Sequence, residues 1–134
     1  MSFIKIEKKI QKFKKNLIIS GDKSLSIRWA LLASQSSYKS KSYNLLASED
    51  VLNTLRCLKR LGVKIKLTKK FCEITGVGLN GFKYKKSLSL NAGNSGTLGR
   101  LIMGLLVHCK NNIKLEGDKS LSKRDFLRVA KPLK

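Results

Sequence analysis

Two stretches of this chain carry a glycine, a lysine–serine pair and an arginine at identical spacing. Gly21-Asp22-Lys23-Ser24-Leu25-Ser26-Ile27-Arg28 and Gly117-Asp118-Lys119-Ser120-Leu121-Ser122-Lys123-Arg124 differ only where Ile27 stands against Lys123. A glycine permits a tight turn, a lysine supplies a point charge, hydroxyls donate hydrogen bonds, and a guanidinium offers a planar fork for phosphate or carboxylate. A third segment, Asn91-Ala92-Gly93-Asn94-Ser95-Gly96-Thr97-Leu98-Gly99-Arg100, lies between a strand-like run at 87–90 and an apolar run at 101–107. Its small residues Gly93, Ser95 and Gly96 would let an anion approach the unpaired N–H groups and positive end of a following helix. The spacing fits neither the P-loop, which needs Gly-x4-Gly-Lys-Ser/Thr, nor the dinucleotide fingerprint. The chemistry indicated is recognition of a phosphate or carboxylate by several turns at once.

Those turns need elements to hold them, and the pattern reads as alternating strands and helices, an α/β (α+β) fold. Residues 15–19 read as a strand. Ser24 or Ser26 is expected to cap a helix through Trp29, Ala30, Leu31, Leu32 and Ala33. Residues 41–44 form a short extended piece. Ser48 is a natural N-cap, Glu49 and Asp50 suit the positive dipole end, and Val51, Leu52, Leu55, Leu58 and Leu61 recur at helical spacing until Gly62. Residues 63–67 and 71–74 alternate and read as a hairpin across Thr68-Lys69-Lys70. A glycine-rich loop at 75–80, a strand at 87–90, a helix at 97–109 and a strand at 113–116 complete the order.

The 29 Lys+Arg against 8 Asp+Glu give a formal charge of +21, which by itself favours polyanions. The lysines are dispersed, and no ordered set of aromatics for base stacking is visible, so only nonspecific polyanion binding is expected, through lysines such as Lys69, Lys70, Lys85 and Lys86. Three of the arginines, Arg28, Arg100 and Arg124, fall within the motifs. Cys57, Cys72 and Cys109 form no Cys-x-x-Cys pair, which speaks against a metal site and suits a reducing, cytoplasmic setting. His108, the only histidine, ends an apolar run with no carboxylate partner evident, which suits a packed or frayed-end role. No stretch approaches the roughly 20 apolar residues that span a bilayer, so no membrane partner is expected. Glu7 and the lack of a small-residue cleavage site argue against a signal peptide over residues 1–14.

Taken in order, the three motifs resemble the 5-enolpyruvylshikimate-3-phosphate synthase (3-phosphoshikimate 1-carboxyvinyltransferase) family. Residues 21–28 look like its first substrate loop, and Asn44-Leu45-Leu46-Ala47-Ser48-Glu49-Asp50 is similar to its Asn-Leu-Leu-x-Ser-x-Asp segment. Gly93-Asn94-Ser95-Gly96-Thr97 matches its central glycine loop, and residues 117–124 its later basic segment. The resemblance covers residues 15–133. It implies a longer, two-lobed protein of βαβαββ repeat units, of which this chain would carry part of the N-terminal lobe, about one unit and the start of another. Residues 1–20 would form a strand and hinge segment that packs with the second lobe, exposing Phe3, Ile4, Ile6 and Ile10 in its absence, and residues 21–134 the incomplete N-terminal lobe.

The reaction so implied moves the enolpyruvyl group of phosphoenolpyruvate to the 5-hydroxyl of shikimate 3-phosphate with release of phosphate, in the shikimate pathway of aromatic amino acid biosynthesis. By the same resemblance, Lys23, Ser24 and Arg28 bind shikimate 3-phosphate; Lys23, Gly96 and Arg124 bind phosphoenolpyruvate; Asn94 and Arg100 shape the loop. No cofactor or metal is implied, and the family suggests a cytoplasmic monomer. The catalytic proton-transfer groups are expected outside these residues, leaving this chain alone inactive. Departures from the family pattern are Ser20, Ile27 and Asp125, the last a carboxylate expected to draw on the neighbouring Arg124. Two alternatives are a UDP-N-acetylglucosamine enolpyruvyl transferase, whose first loop normally has Lys-Asn where Lys23-Ser24 stands, and a small basic anion- or nucleic-acid-binding protein.

Overall fold

The computed structural model describes residues 3–5, 7, 12, 14 and 16–134. Its elements run α1 (Lys23–Gln35), β1 (Lys39–Tyr43), α2 (Glu49–Arg60), β2 (Lys64–Leu67), β3 (Phe71–Thr75), β4 (Leu88–Asn91), α3 (Gly96–Leu106), β5 (Ile113–Glu116), a 3-10 turn at Leu121–Lys123, the one-turn helix α4 (Leu127–Ala130) and a second 3-10 turn at Lys131–Leu133. Helices and strands are mixed, and from α1 to β5 they follow the order the sequence pattern indicates.

The strands divide into two sheets. β3 lies between β1 and β2 and is antiparallel to both, while β4 and β5 pair in parallel. β2 and β3 need only the turn at Thr68, whose hydroxyl accepts the N–H of Phe71 at 3.0 Å and whose own N–H bonds the Phe71 carbonyl at 2.9 Å. A parallel pair cannot be closed so tightly, and α3 supplies the crossover. Along β3 the side chains alternate, with Cys72 and Ile74 fully buried beneath the helices. The main core joins Ile27, Ala30 and Leu31 of α1 to Val51, Leu55 and Leu58 of α2 and to Leu98 and Ile102 of α3, so α1 is wedged against both other long helices.

α2 shows why its end is legible from sequence. Gly62 takes φ +88°; its N–H reaches the Lys59 carbonyl at 3.0 Å and that of Val63 the Leu58 carbonyl at 3.1 Å, a Schellman closure with Leu58 and Val63 buried together. Its start differs from expectation. Ser48 occupies the N-cap, yet its hydroxyl makes no capping bond and is buried without a partner, leaving Glu49 and Asp50 to offset the helix dipole.

Three further expectations are corrected. Of the strand expected at 15–19, residues 16–19 form none: Leu17, Ile18 and Ile19 are exposed, Ile18 completely. An apolar run becomes a strand only against a ladder partner, and here the Ile19 carbonyl meets just the side chain of Asn44, at 3.0 Å. Lys15, Ile6 and Ile10 lie outside the described residues, while Phe3 and Ile4 are exposed. The cap of α1 is Asp22, whose carboxylate accepts the Leu25 N–H at 2.7 Å, rather than Ser24 or Ser26. α3 ends at Leu106, short of the Cys109 expected.

Candidate functional site

The parallel pairing of β4 with β5 sets Asn91 opposite Glu116, so the glycine loop and the second basic segment leave the same edge of one small sheet. Backbone bonds then tie them together: Ala92 N–H to the Glu116 carbonyl at 2.8 Å and Asp118 N–H to the Gly93 carbonyl at 2.9 Å. The Asn91 side chain accepts the Gly93 N–H at 2.8 Å, and Ser95 caps α3 by accepting the Leu98 N–H at 3.3 Å. The N–H groups of Gly96 and Thr97, at the first two helical positions, are those the helix itself leaves free.

Two guanidinium groups converge on that terminus. A Cβ placed on Gly96 would meet Nη1 of Arg124 at 2.6 Å and Nη1 of Arg100 at 3.6 Å, so both guanidinium groups lie against the helix start. Asn94 Oδ1 accepts from Nη2 of Arg124 at 2.8 Å. Arg100 stacks over Phe126, 5.8 Å from the ring centroid, and its Nε is enclosed without a partner. Asp125 does not draw on Arg124 as expected; its carboxylate accepts the Leu127 N–H at 2.7 Å at the start of α4. Asn94, Gly96, Arg100 and Arg124 thus form one positive cluster at a helix N-terminus, an arrangement suited to an anion.

A second cluster surrounds the first repeat. Lys23 opens α1, Ser24 follows it, and Arg28 stands one turn beyond Ser24 on the same face, exposed. The segment 44–50 braces this turn: Leu46 N–H reaches Ser26 Oγ at 3.1 Å, and Asp50 Oδ2 pairs with Lys23 Nζ at 3.1 Å. Among the described residues no hydrogen bond or ion pair joins the two clusters, so Lys23 has Asp50 as its partner and makes no such contact with Gly96 or Arg124. Asp50 and Phe126 were not among the expected site residues. The position of Asp50 in the 44–50 motif pointed to it, whereas nothing local marked Phe126.

Each of the eight carboxylates has a backbone N–H or a cationic side chain as its partner. Asp22, Asp118 and Asp125 accept backbone N–H groups. Glu7, Glu49, Asp50, Glu73 and Glu116 are each in an ion pair, with Lys5, Arg56, Lys23, Lys39 and Lys114. The hydrogen bond from Lys114 holds Glu116 below the usual carboxylate range. Burial pushes the thiol of Cys57 up to about 11 and that of Cys72 up as well, so neither is a nucleophile. Among the described residues no three His, Cys, Asp or Glu side chains converge as metal ligands, and no helix is long and apolar enough to cross a membrane.

Residues 7–134 match the family model of EPSP synthase (3-phosphoshikimate 1-carboxyvinyltransferase). The 3-phosphoshikimate 1-carboxyvinyltransferase of Vesicomyosocius okutanii subsp. Calyptogena okutanii (strain HA) is 47% identical over 118 residues, which are 88% of this chain and 27% of that protein. Two solved structures of EPSP synthase from Acinetobacter baumannii superpose with TM-scores of 0.81 and 0.80 at 39% and 38% identity, each over 87% of this chain and 26% of theirs. The chain therefore spans about a quarter of the length of the relatives it matches.

Proposed function

The chain belongs to the EPSP synthase family, and from that premise we propose that it supplies part of the substrate-binding surface of a 3-phosphoshikimate 1-carboxyvinyltransferase. The observation that carries this reading is the convergence of Arg124 and Arg100 on Gly96. In the reaction, the 5-hydroxyl of shikimate 3-phosphate gives its proton to a base as its oxygen bonds to C2 of phosphoenolpyruvate, while C3 gains a proton from an acid. The resulting tetrahedral ketal then loses phosphate from C2 and a proton from C3, which restores the C2=C3 double bond and leaves the enol ether product. Both substrates are anions, and charge gathers on the departing phosphate, so fixed guanidinium groups and helix N–H groups lower the barrier without reorganising.

Gly96 and Arg124 hold phosphoenolpyruvate, with Asn94 fixing the plane of the Arg124 fork and Arg100 backing the loop. Ser24 and Arg28 hold the phosphate of shikimate 3-phosphate. Lys23 serves both substrates, which requires it to turn from Asp50 towards the glycine loop. The commitment of every carboxylate to a cap or ion pair supports placing the proton-transfer groups elsewhere in the enzyme's length. Residues 1–20, with the exposed run at 17–19, serve as the strand and hinge that pack with a second lobe, and residues 21–134 belong to the N-terminal lobe. The enzyme so formed is a cytoplasmic monomer.

A chimera tests this. Residues 21–134 replace the matching part of the Acinetobacter baumannii protein, and phosphate release is followed with both substrates present. Turnover that needs both substrates and falls at least 100-fold in Arg124→Ala, about the effect of removing one preorganised donor, is expected. A folded chimera that turns over equally well with and without Arg124 overturns the assignment.

A further inference from the structure

The outer face of the three-stranded sheet does something the sequence pattern concealed. Register places Lys39, Thr75 and Lys64 in one row, Lys41, Glu73 and Lys66 in the next, and Tyr43 opposite Phe71 in the third. The other face of these strands packs on the helices through Cys72 and Ile74, so this one is turned away from α1 and α2. Tyr43 is 68% exposed. Lys41 Nζ sits between the two rings, 3.9 Å from the Phe71 centroid and 5.5 Å from that of Tyr43, and Lys66 Nζ is 6.0 Å from Phe71. One carboxylate, Glu73, stands against four ammonium groups and reaches only Lys39, at 4.0 Å. Beyond the third row a cavity of about 500 Å³ opens beside Phe71, with Lys69 and Lys70 on its wall.

We propose that this face binds single-stranded nucleic acid, with unpaired bases stacking on Tyr43 and Phe71 and phosphates lying along Lys41, Lys66, Lys69 and Lys70. Adjacent aromatic rings on an open sheet, flanked by cations, are what a strand of bases and phosphates complements; lysines alone attract any polyanion. The ammonium of Lys41 now covers the Phe71 ring. A stacked base takes over that contact and releases the charge to a phosphate. A duplex keeps its bases inside and cannot use the rings. The inference is independent of the transferase reading, because none of its residues belongs to the two anion clusters.

Fluorescence anisotropy of a labelled twelve-nucleotide oligouridine with the full 134-residue chain, at about 0.15 M salt, tests it, with inorganic polyphosphate as the base-free competitor. Tyr43→Ala combined with Phe71→Leu, which keeps apolar bulk at the half-buried site, is expected to weaken oligouridine at least tenfold, since stacking is worth that much per base. The same double variant should leave polyphosphate within twofold. Removing two charges elsewhere, in Lys85→Ala with Lys86→Ala, should weaken both ligands alike. Tyr43→Ala alone, at an exposed position, guards against misfolding and should still cost several-fold for oligouridine. The proposal is overturned if the ring variants leave oligouridine unchanged or weaken polyphosphate equally. It is also overturned if duplex RNA binds as well as the single strand, or if phosphatidylserine vesicles bind with the same ring dependence while oligouridine does not.

Discussion

Cys57 illustrates how much of a residue's chemistry is set by what surrounds it. A thiol on a helix invites a reactive reading, but this one is 1% exposed and donates to the Asn91 carbonyl at 3.3 Å, between α2 and the strand that leads into the glycine loop. Desolvation lifts its pKa from 9.0 to about 11. The folded chain therefore keeps a proton that the unfolded chain gives up, and its stabilising contribution is intact below pH 9 and is lost as pH rises through 11. Urea midpoints measured across that range should fall more steeply for the wild-type chain than for Cys57→Ala. Parallel slopes would mean that the thiol titrates normally. The departure at Asp125 follows the same logic: beside Arg124 in sequence, it is turned to a helix start and leaves the guanidinium to Asn94.

At the scale of elements, the repeated octapeptide forms the same local turn twice and then diverges. In both copies the Asp carboxylate accepts an N–H three residues on at 2.7 Å, and its carbonyl accepts the N–H four residues on. The first copy continues as a 13-residue helix because Ile27, Ala30 and Leu31 find a core; the second stops after the 3-10 turn, and its Leu121 plugs under Gly117 and Gly99. Leu25, at the matching position, is 66% exposed. Replacing either aspartate by alanine removes one cap and should cost about 1 kcal/mol by denaturant melts. Only Asp118→Ala should also weaken phosphoenolpyruvate binding in a titration, because its carboxylate caps the turn at Leu121–Lys123 that runs directly into Arg124. Loss of that binding in Asp22→Ala alone would reverse the assignment.

The turn chemistry, the hairpin and the α2 stop were legible because neighbours in sequence determine them. The absence of a strand over 16–19 and the pairing of Lys23 with Asp50 were not, since each depends on a partner far along the chain. The same holds for Tyr43 and Phe71, far apart in sequence yet directly opposed across two strands.

For the whole molecule, a formal charge of +21 poses one question above the others: whether anions are held at formed sites or by a diffuse field. The two clusters occupy the starts of α1 and α3, which pack against each other, whereas most lysines are spread over the remaining surface. Diffuse attraction is screened over about 8 Å at physiological salt, while charge-assisted hydrogen bonds at short range survive. The separation can be read by calorimetric titration of shikimate 3-phosphate into the chain at about 0.15 M salt, comparing Lys23→Ala and Arg28→Ala with Lys69→Ala. We predict weak binding that falls about tenfold or more in the first two variants, the loss of a hydrogen bond to a charged group, and is unchanged within twofold in the third. Equal losses in all three would contradict a formed shikimate 3-phosphate site.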